Sequence, residues 1–235
     1  MRATRARLKQ NQKRTIKGPR LPPQSGGVPR FAGLIHDEDR YSFMELTNFD
    51  LSGQAANQVT FENARINNVI MKETHMNHLR LSDVRFEGCD LSNARWDETA
   101  LHRVEFVGCK LTGLRAIRSY LTDVLFTNCK GDFAQFRFAK LKATSFEDCN
   151  LREADFQDAD LRGVTLRRCD LTSVQMSGAR LEGTDLRGSL LGGVNVPLET
   201  FSGVIISSDQ VVDSGWSVAR QIGVVIDDDM TDTPD

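Results

Sequence analysis

The chain lacks any apolar run long enough to cross a membrane as a helix, so no transmembrane span is expected. Its first thirty residues hold no apolar segment of the kind a secretory leader needs, and the protein is read as cytoplasmic. Those residues also lack any acid and any aromatic side chain. Histidine is sparse, at His36, His75, His78 and His102, and no serine or cysteine has an evident base beside it. The glycines are dispersed and form no phosphate-binding loop. These absences leave no constellation for catalysis, so neither an enzyme nor a cofactor is expected.

Charge is distributed in blocks. Residues 1–30 carry nine Lys or Arg and no acid. Residues 31–206 carry 20 basic and 25 acidic residues, a balance of −5. Residues 207–235 carry one Arg and seven Asp, a balance of −6. The two ends are therefore physically distinct from the middle.

What is present is a beat of five. Every fifth residue from Tyr41 to Ile206 is apolar in one unbroken phase, with Gly131 alone lacking a side chain. Five matches neither the helical period of 3.6 nor the strand period of 2.0. A longer period sits on top of it. Cys89, Cys109, Cys129, Cys149 and Cys169 are spaced by twenty. So are Leu81, Leu101, Leu121, Leu141, Leu161 and Leu181, and so are Phe86, Phe106, Phe126 and Phe146. A solenoid with four sides per coil and one pentapeptide per side places like residues above like.

Two residues before each central position lies a second inward position with small side chains. Ala64, Val84, Ala94, Val104, Val124, Ala134, Ala154 and Val174 occupy it, together with the cysteines. Gly88, Gly108, Asn128 and Gly188 share another column and suit tight corners. Gly131 is expected to leave space between Leu111 and Leu151, which Phe136 partly fills. Trp96 is expected to stack beside the small Ala116.

Units such as Cys89-Asp90-Leu91-Ser92-Asn93, Ala154-Asp155-Phe156-Gln157-Asp158 and Ala159-Asp160-Leu161-Arg162-Gly163 resemble the A-(D/N)-L-x-x units of the pentapeptide-repeat family. The resemblance implies an all-β, right-handed quadrilateral β-helix of about eight coils with a C-terminal capping helix. The resulting organisation is a basic disordered arm at 1–30, the β-helix with an N-terminal cap at 31–206, a C-terminal helix and short strand at 207–226, and an acidic disordered tail at 227–235. Ser207 and Gln210 read as a capping box. Val212, Trp216 and Ala219 share a helical face, which either plugs the last coil or joins two rods as a homodimer, so monomer and dimer both stand open. Some gyrase-binding members dimerise through a similar element.

A column of thiols fits neither metal binding nor disulfides. Zinc needs ligands converging from four directions, and coils about 4.8 Å apart hold sulfurs in a line. The cysteines are read as reduced, buried packing, and no metal is expected. Two outward features are candidates for a partner surface. One is apolar and basic, comprising Ile117, Arg118, Phe133 and Phe138 among the outward apolar residues that also include Val107, Tyr120 and Leu125, with Phe138 one coil above Arg118 as in a cation–π stack. The other is acidic, with Glu147, Asp148, Glu153, Asp155, Asp158 and Asp160 crowding one coil and only Arg152 opposing. The leading expectation is a non-enzymatic protein-interaction scaffold. Similarity to the quinolone-resistance branch implies an alternative, a DNA mimic that binds DNA gyrase or topoisomerase IV. That mechanism prefers an acidic stripe, and the relevant column reads Asp50, Ile70, Asp90, Lys110, Lys130, Asn150, Asp170, Leu190. A third class is attachment of residues 1–30 to nucleic acid, which would be sequence-blind and salt-sensitive.

Overall fold

The computed structural model describes residues 15–21, 31, 33–194 and 198–211. Eight strands carry the regular part: β1 (Arg40–Ser42), β2 (Glu45–Thr47), β3 (Thr60–Asn67), β4 (Arg80–Glu87), β5 (Ala100–Val107), β6 (Tyr120–Thr127), β7 (Lys140–Glu147) and β8 (Thr165–Arg167). All pair in parallel in one sheet, β1-β3-β4-β5-β6-β7-β8, with β2 also on β3. Each partner lies twenty residues further along, from Arg40↔Thr60 through Phe86↔Phe106 to Phe146↔Leu166. Isolated parallel bridges close the other sides at the same offset and continue it to Asp185↔Ile205. The sheet spans about six of these steps and the bridges bring the total to about eight. The fold is thus the all-β, four-sided parallel β-helix that the two periods predict, with coils about 4.8 Å apart.

The interior has two ranks, as the spacing requires. The central residues and the small residues two positions earlier are both buried, including Leu91, Ala94, Val124, Phe126, Ala154 and Phe156. Phe86, Phe106, Phe126 and Phe146 form one continuous stack, with centroids 4.8, 4.8 and 4.4 Å apart. Phe136 and Phe156 form a second stack, 5.1 Å apart and edge-on to the first. Each such pair contributes about 0.5–1.5 kcal/mol beyond the area it buries.

Every corner is left-handed. The residue two after each central position has positive φ, without exception from Phe43 to Gly193. On the sides outside the long strands this residue is third in a four-residue turn, as in Leu91–Ala94, where the Ala94 amide donates to the Leu91 carbonyl at 3.1 Å. A positive φ at that place is the demand of a type II turn. Gly, Asn and Asp meet it at little cost, which explains the glycines and asparagines at these positions.

Three details differ from the sequence expectation or were absent from it. The space over Gly131 is taken by Leu151: a Cβ on Gly131 would lie 2.9 Å from Leu151 Cδ2. Phe136 therefore does not fill a gap there; it is buried in its own stack. Trp96 is buried beside Ala116, and its indole nitrogen donates to Thr74 Oγ1 at 3.2 Å. Thr74 is one of several hydroxyl residues in the small inward position, with Thr99, Ser119, Thr184 and Ser189. Each is fully buried or nearly so and donates to a backbone carbonyl, as Thr184 does to Leu161 at 2.8 Å.

Both ends of the coil are closed by a glutamine side chain. At the start, Gln54 accepts from the Ile35 amide at 2.9 Å and donates to the Gly33 carbonyl at 2.8 Å. Phe31 packs edge-on against Tyr41 and Phe49 over the first coil. At the far end, Gln210 donates to the carbonyls of Leu186 and Ser189 at 2.8 and 2.7 Å. Its oxygen receives the Ser207 amide and hydroxyl at 2.9 and 2.8 Å, so the Gln210 half of the capping box is made while the Ser207 hydroxyl donates to the glutamine instead of accepting from its amide. A short helical turn at 208–211 follows. Val212, Trp216 and Ala219 lie outside the described residues.

Candidate interaction surface

The twenty-residue register gathers the outward residues into columns, and one corner stands apart from the rest. Phe138 occupies a left-handed corner position with φ of 59° and is 43% exposed. Arg118 sits at the same corner one coil earlier, with its guanidinium carbon 5.6 Å from the Phe138 ring centroid. Arg137 approaches the same ring at 5.8 Å. On the adjoining side Tyr120 is exposed and receives the Lys140 ammonium 5.2 Å from its ring. Two aromatic rings and three cations thus share one edge of the rod across two coils.

Of the residues read from sequence, Arg118 and Phe138 are joined directly and Ile117 adjoins them, half-buried. Phe133 is exposed and also left-handed, and it lies one corner away along the same coil. Arg137, Tyr120 and Lys140 complete the edge. The same columns that placed Phe138 over Arg118 place Lys140 over Tyr120, through the register pair Tyr120↔Lys140, so the signal was present in the sequence.

Holding a phenylalanine at positive φ costs roughly 1–2 kcal/mol relative to the right-handed region. Burial does not return that cost at Phe133 or Phe138, because both rings face solvent. The solenoid imposes this φ on every corner, so what sets Phe138 apart is its exposed ring between two guanidinium groups.

The acids of the crowded coil go round the rod as a belt, and cations other than Arg152 oppose them. Asp148 takes a two-pronged contact from Arg168 at 2.6 and 2.8 Å, and Glu147 lies 3.9 Å from the same guanidinium. Asp160 is paired with Arg162, and Arg137 Nε is 3.6 Å from Asp155. Glu153 and Asp158 have no ion pair among the described residues. Arg152, the one cation visible along the sequence, pairs instead with Asp170 at 3.2 Å. Stacking brings residues eighteen and twenty apart into contact, which linear reading of the coil omits.

The isolated bridges align Asp50, Ile70, Asp90, Lys110, Lys130, Asn150, Asp170 and Leu190 in one column. Its lysines are real interruptions, and Lys110 pairs with Asp90 at 3.6 Å. All five cysteines are free and buried. Each thiol donates to a carbonyl of the coil below, as Cys169 does to Phe146 at 3.4 Å. The flanking Cys129 and Cys89 thiols, together with burial, push the Cys109 thiol well above its ordinary value. Among the described residues no group of three or more His, Cys, Asp and Glu side chains is placed to hold a metal, and no helix is long and apolar enough to cross a membrane.

A parallel solenoid with one pentapeptide per side, capped at both ends, defines a repeat-scaffold fold. The sequence profile of the pentapeptide repeat region matches residues 79–155, 99–176 and 121–196. These matches together cover half of the chain, and the protein belongs to the pentapeptide-repeat family. No curated protein matches the chain. Among solved structures it is similar to a trypsin-treated variant of QnrB1, a plasmid-mediated fluoroquinolone resistance protein, at 17% identity and a TM-score of 0.38, covering 81% of this chain and 99% of that one. HetL, a pentapeptide repeat protein involved in heterocyst differentiation regulation in the cyanobacterium Nostoc sp. strain PCC 7120, is 20% identical with a TM-score of 0.26, covering 77% and 93%. A pentapeptide repeat protein from the Arabidopsis thaliana thylakoid lumen is 16% identical with a TM-score of 0.11, covering 80% and 82%.

Proposed function

We propose that the protein is a non-enzymatic scaffold that binds a protein partner through the aromatic and basic edge formed by Phe138, Arg118, Arg137, Tyr120 and Lys140. The observation that carries this reading is Phe138 itself, an exposed aromatic ring in a strained corner between two guanidinium groups. Tyrosine and arginine are over-represented among residues that dominate binding energies, and an aromatic anchor ringed by cations suits a partner surface with carboxylates around an apolar pocket. The rod holds these side chains on a backbone that cannot splay, so little ordering cost remains at the moment of contact.

The Phe138→Asn substitution separates binding from folding. Asparagine tolerates the left-handed corner better than phenylalanine, so the variant should melt no lower than the wild type. Proteins captured from the native cell by the wild type should be lost with Phe138→Asn and with Arg118→Ala. Retention of every captured protein by both variants would remove this edge as the contact.

A further inference from the structure

Residues 15–21 of the basic arm lie on the rod, along its axis. The Arg20 amide donates to Asp83 Oδ1 at 2.8 Å, and the Lys17 amide donates to Asp123 Oδ1 at 3.3 Å. Asn63 Nδ2 donates to the Arg20 carbonyl at 2.8 Å. Asn63, Asp83 and Asp123 belong to one corner column, with Arg103 between the two carboxylates. Gly18 sits over Glu105, where a Cβ would lie 3.2 Å from Oε1.

The spacings match. Asp83 and Asp123 are two coils apart, about 9.6 Å at the sheet spacing. Lys17 and Arg20 are three residues apart, about 10 Å of extended chain. Laid along the axis, the arm thus brings the Lys17 and Arg20 amides to carboxylates two coils apart. Arg103 grips Asp83 with Nε at 2.6 Å from Oδ1 and holds that carboxylate in place. Its guanidinium, against the cost of burial and helped by the Arg20 amide, keeps the Asp83 carboxyl below its ordinary range. The arm's hydrogen bonds all run through its backbone atoms, Ile16, Pro19 and Leu21 are half-buried, and Lys17 and Arg20 remain exposed. The rod thus holds an extended backbone, and the acids of the column favour one that carries positive charge.

We propose that this corner column, Asn63, Asp83 and Asp123, with Glu105 on the adjoining strand, is a docking rail for an extended basic peptide segment of a partner, and that residues 15–21 are its resident occupant in cis. The partner segment enters by displacing the arm. A tethered occupant acts at an effective concentration on the order of millimolar, so the rail is closed to weak competitors and open to strong ones. This site is separate from the Phe138 edge and does not depend on it.

The test uses the full chain and a labelled peptide with the sequence of residues 11–24, followed by fluorescence anisotropy. Lys17→Pro with Arg20→Pro removes the two donating amides and leaves the rod untouched. The peptide should bind this variant about tenfold more tightly than it binds the wild type, whose own arm competes. Adding Asp83→Asn and Asp123→Asn should abolish that binding. A peptide carrying proline at the positions of Lys17 and Arg20 should bind the Lys17→Pro/Arg20→Pro protein at least about tenfold more weakly than the unmodified peptide, which tests the rail without altering its acids. Equal binding to the wild type and the double-proline protein, binding to neither, or equal binding of the two peptides would each overturn the proposal.

Discussion

At position 131 the central rank of the solenoid carries glycine where its neighbours in the column, Leu111 and Leu151, carry leucine. The pattern alone invites Gly131→Leu as a repair. The packing argues the reverse, because Leu151 already leans into the space a side chain at 131 would need. Interiors at crystal-like density do not absorb four extra carbons without displacing neighbours. Gly131→Leu should therefore destabilise the rod, by about 1–3 kcal/mol, as measured by chemical denaturation. An increase in stability would mean that Leu151 swings away and that the column was underfilled. The cysteines carry a related lesson. Their twenty-residue spacing reads as packing, and each thiol is a small buried side chain tied to a carbonyl of the preceding coil.

At the scale of the coil, charged pairs act across rungs. Asp185 is buried, which opposes its charge, but hydrogen bonds from Arg187 at 2.8 Å and from Arg167 one coil below outweigh that cost. Its carboxyl is held far below the ordinary range. A depressed folded value means that the carboxylate stabilises the fold above its unfolded pKa of about 3.9. That contribution declines as pH falls through the acid range towards the folded value. Asp185→Asn should lower the melting temperature at about pH 6, and the difference from wild type should shrink as pH approaches about 2. A constant difference across that range would show that Asp185 acts by shape rather than charge. The caps belong to the same scale. Gln54 and Gln210 offer an amide in place of the coil that would come next, so the first and last rungs find partners for groups that an open β edge leaves bare. Ser207 and Gln210 were legible as a capping box. The second task of Gln210, bonding Leu186 and Ser189, was not, because it depends on where the chain crosses the end of the rod.

For the whole molecule, the periods of five and twenty were enough to set every strand pairing, because a solenoid repeats its contacts at one fixed offset. Local relations carried that far and no further. The seating of Lys17 and Arg20 on Asp123 and Asp83 joins residues that no repeat offset relates. The same whole-rod view bears on DNA mimicry. A duplex carries one negative charge per about 1.7 Å of axis, so a length of roughly 40 Å presents about 24 of them. The described coils build a rod of about that length, residues 31–206 carry a net charge of −5, and many of their acids are paired. The column that would imitate a phosphate strand is broken by Lys110 and Lys130. A type II topoisomerase selecting its substrate by phosphate charge would gain little from this surface. Purified protein at micromolar concentration should therefore leave gyrase supercoiling unchanged, whether or not a quinolone is present. Inhibition or drug protection in that assay, lost when Glu153 and Asp158 are replaced by the neutral amides, would instead assign the rod to the gyrase-binding class and make its unpaired acids the contact.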